Sequence, residues 1–304
     1  MVEGFQVYAL REEGKAVAEI APELGNNCYA FRVADTGDES NGGHWLHVID
    51  APADLTTLRE QPDIYGVPVL FPFPNRIRGG VWRFEGKTYR FDKPATSPTS
   101  IHGLLLNRPY RVASHTADDN GAALSCTLDS RQFPDISRQF PFPFGITMTY
   151  ALRNAVLSMD LEVQNTGSRN MPMGFGIHPY FRVPLSANAD AASAVVKVPA
   201  AAYWELDADS VPTGKKLHAS GDLDLRSGKP FAGLRLDHVF TDVQMESDGF
   251  SRCVIENRDS GRGMVIESDA RFRELVVYTP PGRDTICFEP YTCPTDAINL
   301  EAKG

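Results

Sequence analysis

The most constraining feature of this 304-residue chain is a two-residue apolar rhythm broken at short intervals by turn residues. In residues 145–152 Ile146, Met148, Tyr150 and Leu152 alternate with Thr147, Thr149 and Ala151. That is the period of a strand with one buried face. Arg153 and Asn154 make a turn, after which Leu157, Met159, Leu161 and Val163 resume the rhythm up to Asn165-Thr166-Gly167. A second hairpin is legible where Trp82 and Phe84 approach Glu85-Gly86-Lys87, with Tyr89 and Phe91 on the return. Further strands are expected at 16–20, 28–33, 195–198, 239–243, 264–267, 275–278 and 285–288. Only residues 55–60 are expected to make a helical turn or two, because 22 prolines and 25 glycines interrupt the chain too often for long helices.

Many short strands with frequent turns predict an all-β fold of packed antiparallel sheets, since each half-apolar sheet needs a second layer over its inner face. A single domain over 1–304 is expected, and a fold of this size buries roughly 75% of its unfolded surface, so stability requires no cofactor. The stretches 35–41 and 186–192 read as surface loops.

The net charge of −9, without basic runs, disfavours nucleic acid as a partner. Cys28, Cys126, Cys253, Cys287 and Cys293 are odd in number and lack a CxxC pair, so they read as buried, reduced thiols rather than disulfides or a zinc site. No leader-like N-terminus and no long apolar run stand out, which predicts a soluble cytoplasmic protein without a membrane partner.

Three segments set ionisable groups among apolar, Pro-rich and Gly-rich neighbours: 71–80, 174–181 and 286–291. Such groups need a partner or a solvent-lined pocket to offset desolvation. His178, between Ile177 and Pro179, reads either as a hydrogen-bonded structural histidine or as a proton-transfer group, with Gly174 and Gly176 giving the backbone room to approach a ligand. Glu289 reads as a pocket carboxylate or half of a buried ion pair. Asn75 and Arg76 form a donor cluster suited to hydroxyl or carboxylate oxygens, and His102 occupies a probable turn. His44 and His47 would point to opposite faces of a strand, which argues against a metal there. His115, His218 and His238 carry no pattern and are expected at the surface. The chain lacks G-x-G-x-x-G after a strand, G-x-x-x-x-G-K-[ST], G-x-S-x-G and H-E-x-x-H. Dinucleotide, P-loop, hydrolase-elbow and zincin chemistry are therefore disfavoured, leaving acid/base work by His and carboxylate.

Taken in order, these motifs resemble the aldose 1-epimerase (galactose mutarotase) family. Asn75-Arg76-Ile77 with the following hairpin resembles its N-R-I segment, Ile101-His102-Gly103 its L-H-G, and His178-Pro179-Tyr180-Phe181 its H-x-Y-F. Val211-Pro212-Thr213-Gly214 resembles the I-P-T-G turn, and Asp224-Leu225-Arg226 the D-F-R after it. Asp237 falls where a substrate-binding Asp is carried, and residues 289–299 are similar to the run E-P-Q-x-x-P-D-A-x-N. Ile177 replaces a common Asn, and Leu104 a common second Gly.

The resemblance implies a galactose-mutarotase-like antiparallel β-sandwich (supersandwich), no required cofactor, no metal, and a small free sugar as substrate of a monomer or homodimer. It implies His178 as acid and Glu289 as base, with Asn75, Arg76, His102 and Asp237 holding sugar hydroxyls. A neighbouring carboxylate is expected to favour the imidazolium form of His178. A hexose-6-phosphate mutarotase would instead need a cation at the rim, for which Arg78, Arg108 and Arg182 are candidates, and a non-catalytic carbohydrate-binding domain is the alternative from another class.

Overall fold

A computed structural model describes residues 2–35, 45–119, 121–183, 185 and 190–300. His44 and most of the expected loops 35–41 and 186–192 lie outside the described residues. The chain is nearly all β, and its strand pairs are antiparallel.

The alternating segment forms a meander of strands Arg111–Asp118, Gly121–Asp129, Phe144–Arg153 and Val156–Asn165. Its last hairpin turns one residue later than the sequence suggests, on Asn154 and Ala155 at φ 51° and 59°. Two successive positive φ values match the twist of flanking strands, and Glu85-Gly86 solves the 81–90 hairpin the same way. Two further four-stranded sheets comprise Tyr8–Glu12 to Trp45–His47 and a set built on Ala194–Lys197 and Phe250–Asn257.

The largest sheet has eight strands and carries Asp237 and Glu289. Its order is Pro212–His218, Ala200–Leu206, Asp237–Val243, Glu274–Tyr278, Thr285–Tyr291, Gly176–Ile177 and Val69–Leu70, with Tyr180–Arg182 also pairing to Thr285–Tyr291. Residues 212–214, expected as a turn, open the first of these strands. The strand Thr285–Tyr291 is buried along its whole length. Its even positions Ile286 and Phe288 join Phe240 and Val277 in the core cluster that also holds Phe144, Ile146 and Met148 of the meander. This contact is the sandwich interior. The odd positions Cys287, Glu289 and Tyr291 therefore share the opposite face.

The helix at Leu55–Glu60 forms as expected, capped by Asp54, which accepts from the Thr57 N–H at 2.6 Å, and anchored by buried Leu55 and Leu58. Two short helices were not expected, Pro134–Gln139 and Ala297–Leu300. The first starts on Pro134, whose missing N–H costs nothing at a helix start, and buries Ile136 and Gln139 one turn apart. Among the described residues no helix is long and apolar enough to cross a membrane.

Candidate active site

Backbone pairing converges the three singled-out segments on the odd face of Thr285–Tyr291. Gly176 pairs with Tyr291 and Tyr180 with Cys287, which leaves His178, between the two short strands, opposite Glu289. The His178 N–H donates to the Pro68 carbonyl at 3.0 Å. Asn75 and His102 both take left-handed backbone, φ 55° and 61°, and the His102 N–H donates to the Asn75 carbonyl at 2.8 Å. The Asp296 N–H donates to the Arg76 carbonyl at 3.0 Å, so the C-terminal run holds the Asn75-Arg76 corner in place.

His178 Nε2 lies 3.3 Å from Glu289 Oε1, and both side chains are buried. The other carboxyl oxygen, Oε2, accepts from the Tyr291 hydroxyl. The imidazole stacks on Tyr180 with 4.7 Å between centroids and 6° between planes, and meets the His102 ring edge-on at 5.3 Å. His178 Nδ1 and His102 Nδ1 have no hydrogen-bond partner among the described residues. Half-buried Arg76 donates to Asn75 Oδ1 at 3.0 Å. Asp237 is exposed at the start of its strand, in the row Asp237, Tyr278, Cys287 that crosses the same face.

Burial dominates the electrostatics. It holds the His178 imidazole well below its usual range, with His102 and Arg283 adding to the effect. It pushes the Glu289 carboxyl well up, opposed by the Tyr291 hydrogen bond and by Arg76, and reinforced by Asp237. The expected imidazolium-favouring effect of the carboxylate is thus outweighed by desolvation, which disfavours a charge on either group. Burial, with Arg76 nearby, lowers His102 to about 3, so that ring is neutral.

Several readings of the sequence are corrected here. Gly174 and Gly176 make room for protein rather than ligand: a Cβ at 174 would fall 2.4 Å from Cys293 Sγ, and one at 176 would fall 2.3 Å from the Tyr291 ring. His238 is half-buried, and its Nδ1 accepts from the Asp237 N–H, whereas His115 and His218 are exposed. All five cysteines are free, four buried and Cys293 half-buried. Cys287 joins His178 and Glu289 in a group whose donor atoms lie within 4.8 Å of one another, a spacing a metal ion could use. Burial pushes the Cys287 thiol well up, away from the thiolate a metal requires, and the carboxyl oxygens already face Tyr291 and His178.

Tyr180 and Tyr291 were missed as site residues. Each stands two positions after an acid/base candidate, the strand period that sets side chains on one face. Ile177 and Leu104 both pack against the main core.

A sequence model of the family described as Aldose 1-epimerase matches residues 39–303. The chain belongs to the aldose 1-epimerase family. It is similar to the uncharacterized protein YihR of Escherichia coli K12, 28% identical over 244 residues, which cover 79% of this chain and 74% of YihR. It is 26% identical to the galactose mutarotase of Rattus norvegicus over 73% of this chain and 61% of the rat protein. A galactose mutarotase-like protein from Clostridium acetobutylicum superposes with a TM-score of 0.85 at 24% identity, covering 97% of this chain and 90% of that one. The galactose mutarotase-like sandwich of this family is the fold seen here.

Proposed function

We propose that this family member interconverts the α and β anomers of a free hexose by acid/base ring opening and reclosure. The observation that carries the reading is the approach of His178 Nε2 to Glu289 Oε1, 3.3 Å apart on the buried face of the largest sheet. A cyclic aldose opens when its anomeric hydroxyl loses a proton while the ring oxygen gains one. After rotation about the C1–C2 bond the chain recloses on the other carbonyl face. Glu289 is the base for the hydroxyl, and His178 the acid for the ring oxygen. Microscopic reversal exchanges the roles.

Because burial disfavours charge on both groups, the pair carries one proton between them and titrates as a unit. That single-proton form is the one the reaction needs, since one group must give as the other takes. Arg76, Asn75 and Asp237 supply donors and acceptors for hydroxyls beside the pair, and neutral His102 adds one ring nitrogen.

The test is polarimetry on α-anomers of a panel of hexoses with and without the protein, repeated on His178→Asn and Glu289→Gln. Each substitution is expected to lower kcat by about 10²- to 10⁴-fold with the melting temperature largely retained. The rate falls on the acid side as the pair takes a second proton, and burial of His178 places that limb below the ordinary imidazole value of 6.5. It falls on the alkaline side as the pair loses its only proton. Near-wild-type turnover in Glu289→Gln would remove the assignment.

A further inference from the structure

Where the family's C-terminal run has Gln two positions after the glutamate, this chain has Tyr291. Tyr291 is fully buried and on the same strand face as Glu289. Its hydroxyl donates to Oε2 of Glu289, while Oε1 faces His178. Its backbone pairs with Gly176 on one side and Glu274 on the other, and its ring fills the space that any Cβ at 176 would enter. The aromatic ring at 291 and the glycine at 176 are thus sterically matched.

A phenol O–H donates more strongly to a carboxylate than to a carboxylic acid, because the bond is charge-assisted. Burial and the neighbouring carboxylate keep the Tyr291 hydroxyl protonated, so it is a fixed donor. The other groups facing Glu289 do not play this part. Cys287 on the same strand is a protonated thiol. Arg76 favours the ionised carboxyl and Asp237 disfavours it, so the two oppose each other. The Tyr180 hydroxyl donates to the Asp63 carbonyl at 2.8 Å and lies 3.5 Å from His178 Nε2, not on Glu289.

We infer that Tyr291 is a positioning residue whose hydrogen bond to Oε2 favours the ionised form of Glu289, so that the carboxyl gives up its proton more readily and can serve as the base. This rests on the mutarotase reading of the pair. Tyr291 acts through Glu289.

The experiment compares wild type with Tyr291→Phe, which removes one oxygen and keeps the ring. The side-chain ¹³C carboxyl shift of Glu289, assigned with Glu289→Gln, is expected to titrate about one to two pH units higher in Tyr291→Phe, because the carboxyl has lost its donor. The value of kcat is expected to fall about 10- to 100-fold, the size of one charge-assisted hydrogen bond, with KM changed less than about twofold. Tyr291→Gln, which restores a donor, recovers part of the loss. A merely structural tyrosine would lower the melting temperature and leave the Glu289 titration alone. An unmoved Glu289 titration, or an unchanged kcat, overturns the inference. If wild type exchanges no anomer of any sugar, the mutarotase reading fails on its own, and the Glu289 ¹³C titration still decides what Tyr291 does. Should Tyr291→Phe not fold, Tyr291→Leu, which also lacks the donor, gives the same readouts with the same expected and overturning results.

Discussion

The rings of His178 and Tyr180 lie almost parallel, 6° apart, and the tyrosine is fixed from behind by its hydroxyl bond to the Asp63 carbonyl. The imidazole is therefore clamped between a stacked ring and the edge of His102 rather than by a hydrogen bond at Nδ1. Tyr180→Phe keeps the stack and loses the bond to the Asp63 carbonyl together with the longer 3.5 Å contact to His178 Nε2, so a stability loss of about 1 kcal/mol and a fall in kcat smaller than that of Tyr180→Ala are expected. Tyr180→Ala removes the clamp, with roughly 3–5 kcal/mol lost and a much larger fall in kcat than in Tyr180→Phe. Chemical denaturation and steady-state kinetics on the two variants separate stacking from hydrogen bonding. Equal kinetic effects would show that the ring face does not orient the acid.

Gly176→Ala probes the fit between Gly176 and Tyr291. The added methyl would sit 2.3 Å from the Tyr291 ring and 2.9 Å from Pro74 Cβ, so something must move. Overpacking of this kind costs about 1–3 kcal/mol. Because the ring that moves carries the hydroxyl bound to Glu289, activity is expected to fall further than the stability change alone explains. A variant with lowered melting temperature and unaltered kcat would uncouple the two.

Glu274 carries a second buried carboxyl on the same sheet face, accepting from Trp204 Nε1 at 2.8 Å and from the Thr241 hydroxyl at 3.1 Å. Burial pushes it up from 4.5 to about 7 despite those bonds. A raised folded value means the folded protein holds a proton the unfolded chain has released. Glu274 therefore contributes its full stabilisation below about pH 4.5 and loses it as pH rises through about 7, a change of roughly 3 kcal/mol over that window. Glu274→Gln can accept from Trp204 and donate to Thr241 without titrating. It is expected to flatten the decline in melting temperature between pH 5 and pH 8, read by calorimetry in matched buffers. Parallel curves for wild type and variant would exclude Glu274 as the source.

How much of this was legible in the sequence follows from where each face of a strand points. Residues 145–163 alternate cleanly because one face of that meander meets the core and the other is partly solvated. Thr285–Tyr291 is buried on both faces and carries no alternation, and the sequence predicts it only as far as Phe288. Arg111–Asp118 was missed because most of it is exposed. His178 and Glu289 stood out as ionisable groups in apolar company, a signal that survives without coordinates. The match of Gly176 to Tyr291 depends on register between segments 115 residues apart, for which no local pattern exists.

Register also bears on whether the sugar is phosphorylated. Arg78, beside the site, is engaged by Asp207 and by Asp209, the latter at 2.6 Å, residues about 130 positions away that nothing local announces. Arg108 is paired with Asp135, and Arg182 is exposed. A phosphate reaching Arg78 would have to displace two carboxylates and meet their charge in a chain of net charge −9. Glucose is therefore expected to show kcat/KM at least about tenfold above glucose 6-phosphate, a difference of one charge-assisted contact. Raising ionic strength should narrow that gap, since half-exposed charges are screened. Arg78→Ala should leave the free-sugar rate within about twofold, as exposed ion pairs contribute about 1 kcal/mol or less. A preference for the phosphorylated sugar that disappears in Arg78→Ala would reverse the assignment, because it would mean that Arg78 exchanges its aspartates for substrate.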